Sequence, residues 1–585
     1  MCENRLHEYL CNLGNFTLSS RLSAVRRRML DLRFERVGEM AEEAASIFSR
    51  AAPSLPPPHV TLYLLSSGVC VRCIFRLFGI RGDAYSCPLL TGSRLHCFLN
   101  VQSDCRGGTS ENELSSFGLT QCSYTSEESN GDQNYCTLCL GILQFPHELY
   151  PEGRISEERS SIDIFVGKIS EVIKKENYQL DGFFLEVSIP PVIVANERSI
   201  WLDMKKKYTG EAWLKDKVLS EQISLKDALK LSITASLETK LSVKSGSNSF
   251  HIRLTYTHLE ASLSLRNALQ EAHSSKRRRT ERENMKNFSG KGQLDSSAQL
   301  CSISDAVALK DLNSLEDHII CERFELPPKE VSKSCQLVTT CSRVPMFIGG
   351  RYLKLSRKVS QTRWIIDDER MGDASVEEIV GTPALEICRG DSYKFHAAGR
   401  EDIDVRMLGS GRPFLIEVSN ARCLPSMVDV LQITERINSS DEKFVMVKNL
   451  RVVGSEAWNL MREGEAEKQK QYTALAWISR PLMDEDLQII SSAKDMEISQ
   501  GTPIRVLHRR SPMERKRVIH WMKIEKIAGS NQFFLLHLCT QAGTYIKEFV
   551  HGDLGRTSPS IGSLLACRAE ILQLDVTDVK MAAFT

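Results

Sequence analysis

Two aspartates stand two residues apart, with an arginine on each side, in the segment GREDIDVRMLGSGRPF. Apolar and charged residues alternate from residue 403 to residue 408, which predicts a half-buried strand with Asp402 and Asp404 on one face. The Gly-Ser-Gly sequence that follows predicts a turn. A carboxylate beside an arginine stays ionised and can act as a nucleophile or accept a proton. The alternative is a surface strand edge that carries paired charges.

Two pairs of cysteines have the C-x-x-C spacing of metal-binding knuckles, Cys70 with Cys73 and Cys136 with Cys139. Four thiolates are the ligand set of a tetrahedral structural zinc site, which leaves no open position for catalysis. The pairs lie farther apart than is usual, and the polar stretch from residue 97 to residue 134 would be an insertion between them. Because the first pair lies among apolar residues, the alternative is a set of buried, reduced cysteines.

Two segments are rich in basic residues. In the first, from residue 502 to residue 523, only Glu514 opposes the cations Arg505, Arg509, Arg510, Arg515, Lys516, Arg517 and Lys523. Its histidines and tryptophan fit a groove that follows an RNA backbone, and the alternative is a solvated helix face. In the second, from residue 349 to residue 364, two glycines that suggest a hinge precede the cations Arg351, Lys354, Arg357, Lys358 and Arg363.

Length and composition restrict the class of protein. A chain of 585 residues has room for two or more domains with substantial cores. Its formal net charge of +1 excludes a uniformly basic protein, so an RNA-binding surface would depend on local clusters. Its 18 cysteines are too scattered for a small secreted disulfide scaffold, and we expect no signal peptide before them. The most apolar segment, residues 59–80, is interrupted by arginines and glycines, so we expect buried core and no membrane span.

We expect three regions along the chain: an accessory domain (1–270), a disordered basic linker (271–300) and a catalytic domain (301–585). Strand-like runs occur in the accessory region near residues 165, 190 and 255, with helical patterns between them. The linker loses its apolar periodicity and carries four basic residues at 276–279. That basic run could be a nuclear-import signal, a loose RNA contact or merely solvated.

The segment that begins at Gly399 resembles the catalytic motif of pseudouridine synthases, which opens with Gly-Arg-x-Asp. The complete string resembles one branch, the Pus-ten tRNA pseudouridine synthases of archaea and many eukaryotes. The resemblance implies that Asp402 is the nucleophile, although the local chemistry does not separate it from Asp404. It also implies phosphate contacts for Arg400 and Arg406.

Other residues acquire roles through the same resemblance. Tyr472, in KQYTAL, would stack on the uracil, and Lys547, in GTYIK, would pair with the catalytic aspartate. Related synthases often have arginine at the second position, and lysine is a point charge with a less defined geometry. Leu565 would form the floor of the uracil site. Without the resemblance, the tyrosine and leucine are ordinary core residues and the lysine is a solvated residue on a first helical turn.

The resemblance implies an α/β (α+β) protein whose synthase domain has a central mixed, largely antiparallel sheet, preceded by a zinc-binding, THUMP-like accessory domain. The substrate would be a uridine in the T arm of tRNA, at positions 54 and 55, and RNA contacts would include Arg357, Lys358, Arg509 and Arg510. The whole basic segment at 349–364, including Arg351 and Lys354, resembles the loop of this family that precedes the aspartate motif and grips the RNA arm. Apart from one structural zinc ion, no cofactor is expected, because the isomerisation is redox-neutral. We expect a monomer in the nucleus, the cytoplasm or both, without membrane association.

Two other functional classes are compatible with parts of the sequence. An RNA-binding adaptor could keep the synthase fold without its chemistry, but the presence of Asp402, Tyr472 and Lys547 disfavours it. A metal-dependent nuclease could use Asp402 and Asp404, but no clear third ligand completes a metal site in the sequence.

Overall fold

The computed structural model describes residues 42–104, 134–145, 161–216, 222–247, 249–270, 305–463, 469–508 and 510–580. The predicted linker at 271–300, with its basic run, lies outside these residues. The described chain divides into two compact units, one within residues 1–175 and 181–341 and the other within 176–180 and 342–585. Apart from residues 176–180, the second unit consists of residues from Ser342 onward. The domain boundaries expected from the sequence, at residues 270 and 301, stay predictions.

The first unit combines helices with a small sheet. Its α-helices are α1 (Pro58–Ser66), α2 (Val71–Leu77), α3 (Gly92–Asp104), α4 (Ser161–Glu176), α5 (Val192–Lys207), α6 (Ala212–Asp216), α7 (Leu225–Leu241), α8 (Asp305–Ser314) and α9 (Asp317–Arg323). Three strands pair in the order β1 (Phe184–Ser188), β2 (Phe250–Thr257) and β3 (Gln336–Arg343), and the first two are parallel. A THUMP-like architecture remains a prediction.

The segment near residue 165 is a helix, so the strand predicted there was wrong. Ile162, Val166, Ile169 and Ile173 are buried at spacings of three and four residues, which is the period of one helical face. The alternation of apolar residues at the start of the segment, SIDIFV, is too short to distinguish the two periods.

The second unit is built on a ten-stranded sheet in the order β11-β4-β10-β17-β12-β15-β14-β13-β16, with β9 paired to β10. Its strands are β4 (Met346–Lys354), β9 (Ser392–Ala397), β10 (Val405–Ser419), β11 (Val445–Val453), β12 (Lys470–Ile478), β13 (Met496–Gly501), β14 (Glu514–Lys526), β15 (Phe533–Thr540), β16 (Thr557–Ser558) and β17 (Ala569–Val579). Two small ribbons, β5 (Val359–Ser360) with β8 (Ala374–Ser375) and β6 (Ile365–Ile366) with β7 (Glu369–Arg370), lie outside it. The helices are α10 (Val376–Cys388), α11 (Met427–Asn438), α12 (Glu456–Glu463), α13 (Asp484–Ser492), α14 (Ile546–His551) and α15 (Ile561–Leu564).

The central sheet confirms the predicted α/β class with a mixed, largely antiparallel sheet. β10 and β17 pair in parallel, and the other described neighbours pair antiparallel. Its core follows the two-residue period of strands, as along β12, where Tyr472, Ala474, Ala476 and Ile478 are buried. Within the described ranges, no helix combines the length and apolar composition needed to cross a bilayer.

The Gly-Ser-Gly sequence is a bulge inside β10, so the predicted turn is wrong. The register of β10 against β4 shifts between Met407 and Arg412, and the strand then continues to Ser419. Gly409 has φ +64, and a Cβ atom there would lie 1.8 Å from the carbonyl oxygen of Thr577. Only glycine fits this approach between β10 and β17.

Candidate active site

The two aspartates lie in a turn that precedes β10, which begins at Val405. The backbone N–H of Val405 donates to the carbonyl oxygen of Asp402 at 3.1 Å, closing the turn. The predicted strand therefore starts too early, and strand alternation does not orient these carboxylates. They converge instead on a shared cation, Lys547.

Lys547, on the first turn of α14, contacts both aspartates. Its Nζ lies 2.8 and 3.0 Å from the carboxylate oxygens of Asp404 and 3.5 Å from Oδ2 of Asp402. Burial would raise the pKa of Asp404, but the hydrogen bonds and charge of Lys547 outweigh it and lower the pKa below its usual value. The motif residues Asp402 and Lys547 are thus brought together, with the closer lysine contact on Asp404.

A second cation, Arg505, contacts Asp402 from another direction. Its Nη1 donates to Oδ2 of Asp402 at 3.0 Å, and its Nε donates to Oε1 of Glu548 at 2.7 Å. Arg505 lies on a 3₁₀ turn at Ile504–Val506, within the segment that the sequence assigned to RNA binding. Sequence analysis missed the contact between Arg505 and Asp402 because these residues are 103 positions apart in the chain.

A buried lysine anchors the aspartate turn. Nζ of Lys354 donates to the carbonyl oxygens of Val359, Asp402 and Ile403 at 2.8, 3.1 and 2.8 Å. The residue is fully buried, so its predicted contact with RNA is wrong. Burial lowers its pKa to about 8, although the neighbouring carboxylates oppose this shift. The ammonium group of Lys354 supplies one donor to each of three carbonyls and so fixes the turn.

We expect the stabilising contribution of Lys354 to increase with pH. Because its pKa falls from 10.5 to about 8 on folding, the unfolded chain binds more protons between these values. The free energy of unfolding of the wild type minus that of Lys354→Met should therefore rise through this interval, by at most about 1.4 kcal/mol per pH unit. Urea denaturation at a series of pH values measures this difference. A flat or falling difference would contradict the assignment.

The other cations of the second basic segment divide into internal and exposed residues. Arg351 is buried and donates to backbone carbonyls of Ser410, Gly411 and Val579, so an RNA contact by this residue is also wrong. Arg357 donates to the carbonyl of Asp404 and to the carboxylate of Asp575.

Lys358 is exposed. The two glycines at 349 and 350 lie inside β4. Both pair with β10, and Gly349 also pairs with β11, so they form no hinge.

The two arginines that flank the aspartates differ in the same way. Arg406 forms two hydrogen bonds with Asp575, at 2.9 and 2.6 Å, so its donors are used inside the unit. Arg400 is exposed and has no hydrogen bond or ion pair among the described residues. Of the two, Arg400 has its guanidinium free for a phosphate group.

A buried ion pair lies directly beside Asp402 in the chain. Nε of Arg412 donates to Oε2 of Glu401 at 2.8 Å, and each side chain is 1% exposed. Oε1 of Glu401 accepts a hydrogen bond from Tyr352 at 2.7 Å, and Nη1 of Arg412 donates to the carbonyl of Ala398 at 2.8 Å. These contacts fix the backbone on the N-terminal side of the aspartate turn.

Tyr472 lies on β12 between β15 and β17, opposite Leu538 and Val576. It is 9% exposed, and burial raises its pKa to about 12, with Arg412 lowering and Glu401 raising it. Tyr472 is therefore a neutral, largely buried ring whose electrostatic neighbours are the ion pair beside Asp402.

Leu565 follows the short helix α15 and is buried in the core of this unit. Its carbonyl oxygen accepts a hydrogen bond from Arg480 at 2.8 Å, which fixes its backbone. The role of its side chain in the uracil site stays a prediction.

The basic segment at 502–523 contains the 3₁₀ turn and most of β14, so it is not a helix face. On one side of β14, Lys516 pairs with Glu497 and His520 with Asp495, which balances the basic charge of that side.

On the other side of β14, Nη1 of Arg515 and Nε of Arg517 are shielded from solvent, and neither has a hydrogen-bond partner within the described residues. Arg510 donates to the hydroxyl of Tyr545 at 3.0 Å. Arg509 lies outside the described residues.

The four cysteines of the predicted knuckles form one cluster in the first unit. Their sulfur atoms all lie within 4.8 Å of one another, with 3.9 Å between Cys70 and Cys139. Two sulfurs about 2.3 Å from one tetrahedral metal would be about 3.8 Å apart, so the cluster could hold a metal ion. Within the described residues, Asp402 and Asp404 have no third ligand, whether cysteine, histidine or carboxylate, that would complete a metal-binding cluster.

Comparison with known proteins gives the family. Residues 347–580 match the family model described as Pus10, C-terminal, and residues 136–341 match Eukaryotic Pus10, N-terminal. The chain is 34% identical over 536 residues to tRNA pseudouridine synthase Pus10 of Xenopus laevis, across 89% of this chain and 96% of that protein. The chain belongs to the Pus10 family.

Other Pus10 proteins show how the similarity is distributed. The Homo sapiens protein is 32% identical over 549 residues, with 89% of this chain and 96% of that protein covered. The protein from Thermofilum pendens is 39% identical over 241 residues, with 41% of this chain and 53% of that protein covered. The region that matches Pus10, C-terminal contains Asp402, Tyr472, Arg505 and Lys547, so the candidate active site lies within it.

Proposed function

We propose that this Pus10 protein is a tRNA pseudouridine synthase that isomerises uridine in the T loop, at positions 54 and 55. In this reaction the C–N glycosidic bond breaks, the uracil turns, a bond forms through C5, and the proton on C5 is lost as the freed nitrogen gains one. Reactant and product are isomers, so the chemistry requires no redox cofactor. The observation that carries the proposal is an aspartate, Asp402, held between Lys547 and Arg505 on an anchored turn.

In this proposal each side chain has a separate role. Asp402 is the nucleophile, and its two cationic neighbours orient the carboxylate. Tyr472 provides an aromatic surface for a uracil that is turned out of its stack. Leu565 supplies apolar contact at the floor of the same site.

Exposed and unpaired cations in the catalytic unit support an RNA substrate. Arg400 and Lys358 are exposed near the aspartate turn, and Arg515 and Arg517 have buried guanidinium nitrogens without partners among the described residues. Guanidinium donors without partners are costly unless a ligand such as phosphate satisfies them. We propose that these cations bind the T-arm backbone while the accessory unit holds the rest of the tRNA.

The test of this function is pseudouridine mapping on an unmodified tRNA transcript under single-turnover conditions. We expect pseudouridine at positions 54 and 55, and loss at each position when that uridine is replaced by cytidine. Tight binding without modification would favour the inactive adaptor instead. Activity that disappears when divalent metal is removed would favour metal-dependent chemistry.

We also propose that the cysteine cluster of the first unit binds one structural zinc ion. Four thiolates at these separations fit tetrahedral zinc and leave no position for substrate.

We further propose that the protein acts as a monomer and that it lies in the nucleus, the cytoplasm or both. Its native mass tests the first point, and imaging of the protein in cells tests the second.

We expect the cysteine cluster to be essential for folding of the first unit. A Cys136→Ser/Cys139→Ser variant should contain no zinc and lose the unit's cooperative unfolding transition, because structural zinc contributes on the order of 10 kcal/mol. Elemental analysis and thermal unfolding measure the two effects. Cys321→Ser, at an exposed cysteine, is the matched control and should keep both. A metal-free wild type with the same thermal stability would refute the proposed zinc site.

A further inference from the structure

We propose that Arg505 is the principal counter-ion of the nucleophilic Asp402 and orients its carboxylate, whereas Lys547 is held mainly by Asp404. Arg505 is therefore a positioning residue of the active site, and not part of the RNA-binding surface. This inference rests on the proposed function, because it takes Asp402 to be the reacting group.

The distances divide the two cations between the two aspartates. Arg505 lies 3.0 Å from Oδ2 of Asp402, within hydrogen-bonding distance, whereas Lys547 lies 3.5 Å from the same oxygen. Lys547 makes its two short contacts, 2.8 and 3.0 Å, with Asp404. Oδ2 of Asp402 therefore accepts its shorter charge-assisted hydrogen bond from the arginine.

Glu548 holds the guanidinium of Arg505 in place. Its Oε1 accepts from Nε of Arg505 at 2.7 Å, and its side chain is only 3% exposed. The other oxygen, Oε2, is buried and has no hydrogen-bond partner among the described residues. Arg505 is thus the described group that compensates this buried carboxylate, and removing Arg505 would leave Glu548 buried without its cation.

The backbone of Arg505 is fixed as well. Its 3₁₀ turn follows Pro503, and the preceding N–H, that of Ile504, donates to Oδ2 of Asp553 at 3.3 Å. The next residue, Val506, is buried. Turn, ion pair and planar guanidinium together restrict the direction from which Nη1 reaches Asp402.

Lys547 and Glu548 are consecutive residues on α14. One helical turn therefore carries the first cation, Lys547, and the carboxylate that holds the second cation, Arg505. Lys547 contacts the aspartates directly, and Glu548 acts through Arg505. A lysine is a flexible point charge, whereas an arginine that donates to two carboxylates has a defined geometry. This arrangement compensates for the lysine at a position where related synthases often have arginine.

The test compares Arg505→Gln, Arg505→Lys and Glu548→Gln in the full-length protein. We expect Arg505→Gln to lower the single-turnover rate of pseudouridine formation on the order of 100-fold, the scale of losing one preorganised charge contact. The dissociation constant for tRNA should change by less than about threefold, because the substitution removes no contact with an RNA phosphate. Arg505→Lys should recover part of the rate, and Glu548→Gln should reduce it by a smaller factor.

Chemical rescue separates positioning from a general loss of structure. Added ethylguanidinium should raise the rate of Arg505→Ala and leave that of Asp402→Asn unchanged. Arg568→Gln is the control, since Arg568 is exposed and its one ion pair among the described residues is with Glu570, and it should behave as the wild type. The double variant Arg505→Gln/Glu548→Gln should be less impaired than the product of the single effects, because the two residues act as one unit.

Each contrary result has a distinct meaning. An Arg505→Gln variant with the wild-type rate and weakened tRNA binding would return this residue to the RNA surface and overturn the inference alone. A reduced rate without rescue by either lysine or ethylguanidinium would also overturn it. A wild type that forms no pseudouridine would overturn the proposed function, and the inference with it.

Discussion

An Asp402→Asn variant is expected to bind tRNA nearly as tightly as the wild type and to form pseudouridine more than about 10³-fold more slowly. Asparagine has the same shape but no anionic oxygen, so it cannot act as the nucleophile. The hydrogen bonds of Lys354 to the backbone carbonyls at 402 and 403 do not involve the side chain, so the turn should persist. Single-turnover kinetics and equilibrium tRNA binding measure the two properties.

Asp404→Asn is the matched comparison, because the two aspartates share Lys547. It should retain turnover, reduced by about tenfold at most, since it removes a partner of the lysine and not the reacting group. Persistent activity in Asp402→Asn together with an inactive Asp404→Asn would identify Asp404 as the nucleophile. The closer contact between Lys547 and Asp404 makes this comparison necessary.

Replacing Arg412 with methionine is expected to destabilise the catalytic unit by about 3–5 kcal/mol. The substitution leaves the carboxylate of Glu401 buried without its cation, in a site where each side chain is 1% exposed. Burial by itself would lower the pKa of Arg412, and the charge of Glu401 raises it above its usual value. Urea-induced unfolding of wild type and variant gives the difference in unfolding free energy.

A second substitution tests the physical reason. Glu401→Gln/Arg412→Met removes both charges and keeps an acceptor for Tyr352, so it should cost less than Arg412→Met alone. Arg568→Met breaks an exposed pair and should change the unfolding free energy by no more than about 0.5 kcal/mol. Equal stability of Arg412→Met and wild type would contradict the importance of this pair.

The family resemblance was sufficient for the class of the catalytic sheet. It implied a mixed, largely antiparallel sheet, and that class was confirmed; along β12 the buried positions follow the two-residue period of a strand. Local alternation failed near residue 165, where a helix shares its first few apolar positions with a strand. The turn predicted from the Gly-Ser-Gly sequence was also wrong, because glycines with positive φ, such as Gly409, serve bulges as well as turns.

The cations show why a basic segment does not specify its own role. Arg351, Lys354, Arg357 and Lys358 are close in sequence, yet the first two are buried and the last is exposed. Sequence analysis grouped them as RNA contacts because charge is visible in a sequence and burial is not. The same reasoning placed Arg505 on the RNA surface.

The sequence by itself determined the chemical types: an aspartate in a Gly-Arg-x-Asp motif, a lysine after Gly-Thr-Tyr-Ile, and two C-x-x-C pairs. Only the tertiary structure decided which charges meet, joining Asp402 to Arg505 across 103 residues and the cysteine pairs across an intervening segment. The physical reason is that motifs act over a few consecutive residues, whereas electrostatic interactions depend on distance and burial in the folded chain.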